Sequence, residues 1–171
     1  METGNPQIII AVTGHRPNKL LNDYSGSGRI SLAIIDEMKG LLKQMKPHKV
    51  ISGVALGIDM LWAETALEMA IPVIAAVPCA NQSSRWPESS RLRYNLILNH
   101  PLTEVIMVSD GPYDDKCMQN RNVWMVDNST ALVTFWDGTP GGTKNCIDYA
   151  TTKKNYPIIP VNLKQIILSN G

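Results

Sequence analysis

The sequence predicts an α/β domain, a parallel sheet of about six strands with helices on both faces. Three observations lead there. Short apolar, β-branched runs alternate with stretches whose apolar residues recur at helical spacing, the pattern of βαβ units. The short runs lack period-two alternation, as strands buried on both faces do. The chain has 171 residues, 44% hydrophobic and 18% charged, with no repeat, low-complexity tract or linker, so one domain spanning 1–171 is expected.

The strand runs are Ile8 to Val12, Val50-Ile51, Pro72 to Val77, Val105 to Val108, Ala131 to Trp136 and Ile158 to Val161. Helical stripes lie between them. Ile30, Ala33, Ile34, Met38, Leu41 and Leu42 give the first, and Leu61, Ala63, Leu67 and Ala70 the second. A third follows Trp86-Pro87 with Leu92, Leu96 and Leu98, proline being well placed in a first turn. Met118, Val123, Met125 and Val126 mark a fourth, and Cys146, Ile147 and Ala150 a fifth, within Thr143 to Lys154.

In such sheets a ligand sits beyond the carboxyl ends of the strands. The loops there are Thr13 to Pro17, Gly53 to Asp59, Pro78 to Arg85, Ser109 to Asp115 and Asp137 to Thr143. Two of them place glycines between a strand and a helix start. Gly141 and Gly142 precede the fifth helix, and Gly53 and Gly57 the second. A helix N-terminus offers unpaired N–H groups and a dipole that favours anions, and glycine lets backbone approach a phosphate. Two such cradles point to a nucleotide-type ligand.

Familiar motifs are excluded. There is no phosphate-binding G-x-x-x-x-G-K-[ST], and Gly26-Ser27-Gly28 is followed by Ser31 where a dinucleotide fingerprint needs glycine. Ser52 is not in a G-x-S-x-G elbow. His15, His48 and His100 have no metal-ligand spacing with Cys79, Cys117 or Cys146, so neither metal nor cofactor is expected. The cysteines, odd in number and without a C-x-x-C pair, read as reduced, buried thiols of a cytoplasmic protein. No secretory leader or bilayer-spanning stretch is read, and no membrane partner is expected.

What remains is a pattern spread over about residues 8–161: Thr13-Gly14-His15-Arg16, Ile51 to Asp59, Arg121-Asn122, Met125-Val126-Asp127, and Asp137 to Thr143, on successive strand ends. It resembles the SLOG superfamily, the Rossmann-like group that contains DprA and the LOG enzymes. The Trp86 helix and Arg121 to Ser129 are most similar to its YpsA-like branch. The resemblance implies a nucleotide or ADP-ribose-type ligand at the strand carboxyl ends. The ligand-binding candidates are Gly14, His15, Arg16, Ser52, Gly53, Val54, Ala55, Gly57, Asp59, Pro78, Arg85, Arg121, Asn122, Gly138, Thr139, Pro140, Gly141, Gly142 and Thr143. Arg16 is suited to a bidentate phosphate contact. Asp59 either accepts from a ribose hydroxyl or caps the next helix. Thr143 can cap its helix and contact phosphate. Arg121 either reaches the ligand or pairs with Asp114 or Asp115. Trp86 and Tyr94 either stack on a base or pack in the core.

LOG enzymes resemble one another in a PGGxGTxxE phrase whose glutamate serves N-glycosidic hydrolysis. Here Pro140-Gly141-Gly142 runs directly into Thr143, and Cys146 stands three residues later in place of the glutamate. A glycosidic cleavage needs a carboxylate. Asp59, Glu64 and Asp148 are the substitutes. The first expectation is therefore binding of a nucleotide-derived molecule, linear or cyclic, by a sensor or sequestering protein. A LOG-like nucleotide phosphoribohydrolase and a DprA-like single-stranded DNA binder are the alternatives. With a net charge of +1, nucleic acid is read as an unlikely partner. A homo-oligomer, dimer or higher, is expected from the apolar breadth of the helix carrying Met118, Val123, Trp124 and Met125.

Overall fold

The computed structural model describes residues 4–171. The strands are β1 (Ile9–Gly14), β2 (Lys49–Ser52), β3 (Val73–Val77), β4 (Thr103–Met107), β5 (Ala131–Trp136) and β6 (Ile158–Asn162). The helices are α1 (Arg29–Met45), α2 (Ile58–Glu68), α3 (Glu88–Leu98), α4 (Cys117–Asp127), α5 (Gly142–Thr151) and α6 (Leu163–Asn170). All strand pairs are parallel, in the order β4-β3-β2-β1-β5-β6. The Rossmann-like architecture expected from the sequence is the one formed.

Alternate side chains of the inner strands point into two cores. Ile10, Val12, Val50, Val73, Ala75, Val133 and Phe135 join α1, α2, α3 and α6 on one face. Ala11, Ile51, Ala76 and Leu132 join Met125 and Val126 of α4 and Cys146 and Ala150 of α5 on the other. The small residues Ala11 and Ala76 let α4 and α5 sit close on the second face.

Two expectations need correction. β4 and β6 are not buried on both faces: they are the outermost strands, and Val105 and Met107 of β4 are 40% and 46% exposed. The helix α6 lies beyond the last apolar run read from the sequence. Its N-cap is Asn162, the last residue of β6, whose side chain accepts from the Gln165 N–H at 3.0 Å. The breadth of α4 has a local cause as well. Met125 and Val126 are buried in this chain's own core and Trp124 packs against it, so part of the apolar breadth behind the oligomer expectation is used within the chain.

Between β1 and α1 the chain makes one 3-10 turn at Pro17–Lys19 and then a loop gathered on Asp23. The Asp23 carboxylate accepts from the N–H of Ser25, Gly26 and Gly28 and from the hydroxyls of Ser25 and Ser31. Partial burial pushes this carboxyl up, but the hydrogen bonds from Ser25, Ser31 and Gly28 outweigh it and hold it at about 2. A carboxyl lowered on folding stabilises fully above its ordinary value of 3.8, and that stability is lost as pH falls through about 2. Asp23→Asn should therefore destabilise the protein by about 1–3 kcal/mol at pH 7. Urea unfolding should show the gap between variant and wild type closing between pH 4 and pH 2.

Candidate functional site

β1 stands where the connectivity reverses: β2, β3 and β4 extend to one side of it and β5 and β6 to the other. The loops after β1 and β5 therefore diverge and leave a crevice between them, the usual ligand position in open α/β sheets. A cavity of about 290 Å³ occupies it. Its walls are Val12 to Arg16, Asn18 and Lys19 after β1, Ala55 and Asp59 after β2, Met118, Arg121 and Asn122 of α4, and Pro140 to Thr143 at α5.

The α5 wall is an open helix end. Gly141 is its N-cap with a φ of 142°, a conformation that favours glycine, and no side chain caps the helix. A Cβ on Gly142 would meet nothing within 4 Å, so the backbone there faces free space. Thr143 is the second helical residue and does not cap; it is 8% exposed and lines the cavity. The turn before it is pinned rather than open. The Thr139 N–H and hydroxyl donate to Asp137 Oδ1 at 3.0 and 2.5 Å, and Trp136 Nε1–H donates to the Thr139 carbonyl at 2.7 Å. Gly138 and Thr139 thus shape the cradle without lining the cavity.

The β1 wall carries cations. Arg16 is exposed, and Lys19 lies 3.8 Å from Asp137. His15 Nε2 meets Asp137 Oδ1 at 2.7 Å, which fixes the imidazole at the rim. Burial pushes the Asp137 carboxyl up, yet the hydrogen bonds from Thr139 and His15 hold it at about 2.

The floor is built around Gly53. Arg121, 5% exposed, reaches from α4 and donates through Nη1 to the Gly53 carbonyl at 2.6 Å and through Nε to Asn122 Oδ1 at 3.1 Å. A Cβ on Gly53 would lie 2.1 Å from Arg121 Nη1 and 2.8 Å from Asp59 Oδ2, so only glycine admits both groups. Burial pushes the Asp59 carboxyl above the usual range, against the pull of Arg121 and Arg16 and the Ala55 N–H. Burial lowers the Arg121 guanidinium, with Asp59 opposing, but arginine stays charged in proteins. Arg121 therefore answers to Asp59 and Gly53 rather than to Asp114 or Asp115. Asp59 lies in the first turn of α2, whose N-cap is Gly57.

Several candidates serve elsewhere. The Ser52 hydroxyl is fully buried, donating to the Asp59 carbonyl at 2.6 Å and accepting from the Val54 N–H at 3.0 Å. Val54, Gly57 and Pro78 form loop backbone outside the cavity lining. Glu64 pairs with Arg93, and Asp148 pairs with Lys144 at 2.5 Å on an exposed face, so Asp59 alone of the three carboxylates reaches the cavity. Cys146 is fully buried beneath it, its thiol pushed up by burial to about 11. Sequence reasoning missed Asn18, Lys19 and Met118, and Val12 and Thr13 at the end of β1. The signal for the first two was Pro17, which turns the chain back after Arg16. Arg85 and Trp86 line a second cavity beside the first. Tyr94 is 7% exposed and meets the Trp86 ring edge-on, so it packs rather than faces a ligand.

The sequence profile of the YspA SLOG family matches residues 10–166. The SPbeta prophage-derived protein YoqJ of Bacillus subtilis is 33% identical over 141 residues, 73% of this chain and 79% of that protein. A UPF0398 protein of Bacillus cereus is 26% identical over 155 residues, 85% of this chain and 83% of that protein. Among solved structures, DNA processing protein A from Helicobacter pylori superposes with a TM-score of 0.64 at 18% identity, over 90% of this chain and 65% of that one. The same protein from Streptococcus pneumoniae gives 0.61 at 14% identity, over 95% and 61%. This chain thus spans less than two thirds of either DNA processing protein.

The Helicobacter structure describes a single-stranded DNA binding mode. That finding overturns the reading of nucleic acid as an unlikely partner. The physical error was to use a whole-chain sum. A net charge of +1 is compatible with Arg16, Lys19 and Arg121 concentrated on one cavity.

The Arg121 floor yields a prediction. Arg121→Met should cost about 3 kcal/mol, because it leaves the buried Asp59 carboxylate without its counter-charge and the Gly53 carbonyl with Gln82 as its one side-chain donor. Adding Asp59→Asn should restore part of that loss. Denaturant unfolding of both variants tests it, and a single variant as stable as wild type would contradict the buried-charge account.

Proposed function

Since the chain belongs to the YspA SLOG family, we propose that its switch-point cavity binds the phosphate of a nucleotide. One observation carries this reading: Arg16 and the uncapped N-terminus of α5 face one cavity, whose floor is the buried Arg121. Helix N–H groups and a guanidinium are the donors a phosphate takes, and the free space beside Gly142 admits it. Binding rather than turnover is favoured by the carboxylates. Asp59 is committed to the Ala55 N–H and to the field of Arg121, and Glu64 and Asp148 point into ion pairs elsewhere. A protein of this kind senses or sequesters its nucleotide.

A second reading is supported by the DNA processing proteins that share the fold: the phosphate belongs to a single-stranded DNA. The two differ in what competes. A free nucleoside monophosphate should displace a fluorescent oligodeoxythymidylate only if both use the cradle.

The test is calorimetric titration with nucleoside 5′-monophosphates and with oligodeoxythymidylate, followed by chromatography of the ligand. Wild type should bind and release no free base. Gly142→Val should abolish binding while circular dichroism shows an intact fold, because its side chain enters only the ligand's space. Arg16→Ala should weaken binding by about 1.5–3 kcal/mol. A folded Gly142→Val protein that binds like wild type would put the ligand elsewhere, and free base released at an enzymatic rate would make the protein a hydrolase.

A further inference from the structure

The phosphate cavity, at about 290 Å³, is at the lower limit of sites for whole small-molecule ligands, which run from about 300 Å³ upward. It has room for a phosphate and its sugar, and the base must lie outside. A second cavity of about 670 Å³ adjoins it, and Arg16 and Met118 line both. We infer that this second cavity is a base subsite, in which the nucleobase of the ligand lies against Trp86 and Tyr113 while its phosphate lies at α5. The inference rests on the phosphate reading above.

The subsite has the chemistry of a stacking platform. Trp86 and the 57% exposed Tyr113 give it two aromatic rings, and Arg85 gives it a guanidinium. Every base has a π-face, so such surfaces hold bases with little regard to sequence. The Trp86 ring and the backbone that carries Tyr113 are held before any ligand arrives. Trp86 is buttressed edge-on by Tyr94, with ring centroids 5.2 Å apart. The Tyr113 loop is tied to the Trp86 loop twice: the Ala80 N–H donates to the Gly111 carbonyl at 3.1 Å, and the Tyr113 N–H donates to Asn81 Oδ1 at 2.9 Å. A platform held in place loses little conformational entropy on binding.

The two cavities also share a support. Gln82 donates from Nε2 to the Gly53 carbonyl at 2.9 Å and accepts from the Tyr94 hydroxyl at 3.1 Å. The Gly53 carbonyl therefore takes Arg121 from the phosphate side and Gln82 from the base side. That one carbonyl joins the floor of the first cavity to the loop that carries Trp86, as expected where one ligand spans both.

The test compares ribose 5-phosphate with adenosine 5′-monophosphate by calorimetric titration of wild type, Trp86→Ala and Tyr113→Ala. The monophosphate should bind wild type about tenfold or more tighter than ribose 5-phosphate, the range of one base stacked on an aromatic. Both variants should lose most of that advantage and keep wild-type affinity for ribose 5-phosphate. Trp86 also packs against the core; if Trp86→Ala does not fold, the exposed Tyr113 decides alone. Equal affinity of wild type for the two probes, or undiminished monophosphate binding by the folded variants, overturns the base subsite and leaves the phosphate cradle standing. Binding of neither probe by wild type overturns both.

Discussion

The interaction on which the site depends is the hydrogen bond from the buried Arg121 guanidinium to the Gly53 carbonyl. It joins α4, from beyond β4, to the loop between β2 and α2, elements far apart in the chain. A guanidinium can be this deep only if its charge is answered and its N–H groups are used. Asp59 answers the charge, and Gly53 and Asn122 take the donors. The absence of a side chain at Gly53 is what lets the guanidinium and carboxylate reach the same spot. The floor of the first cavity is built on it, and through Gln82 the same carbonyl reaches the wall of the second.

This arrangement accounts for the division of the loops into parts that face the cavity and parts that hold it. Thr143, Gly142 and Arg16 face it. Thr139 and Ser52 spend their polar groups on their own loops and Asp137 ties its loop to His15, which holds the facing groups in place. Pre-organisation of this kind reduces the ordering cost of binding. The Asp23 loop does the same for the entry to α1, outside the cavity lining.

Much of the fold was legible because buried parallel strands and amphipathic helices write their own periodicity into neighbouring residues. β5 was read with its actual bounds, and α1 was found from its apolar stripe. The misreadings share a cause. An apolar run says that a strand is buried somewhere, but not whether it is an outer strand, so the exposure of β4 and β6 was invisible. Asn162 looks like strand or loop until its side chain is seen accepting from Gln165. Whole-chain charge was an equally poor guide to the local grouping of Arg16, Lys19 and Arg121.

By itself the sequence determined the alternation of strands and helices, the loops at the carboxyl ends and the glycines that open α5. These are properties of residues close together in the chain, fixed by sterics and by the spacing of apolar side chains. Only the tertiary structure decided the strand order that makes β1 the point of reversal, and so which loops share a crevice. Only it chose among Asp59, Glu64 and Asp148, sending two of them to ion pairs outside the cavity. It also turned Arg121 toward Gly53 and set Trp86 and Tyr113 around one hollow. Such choices depend on strand pairing and side-chain direction between distant segments, which local periodicity does not carry.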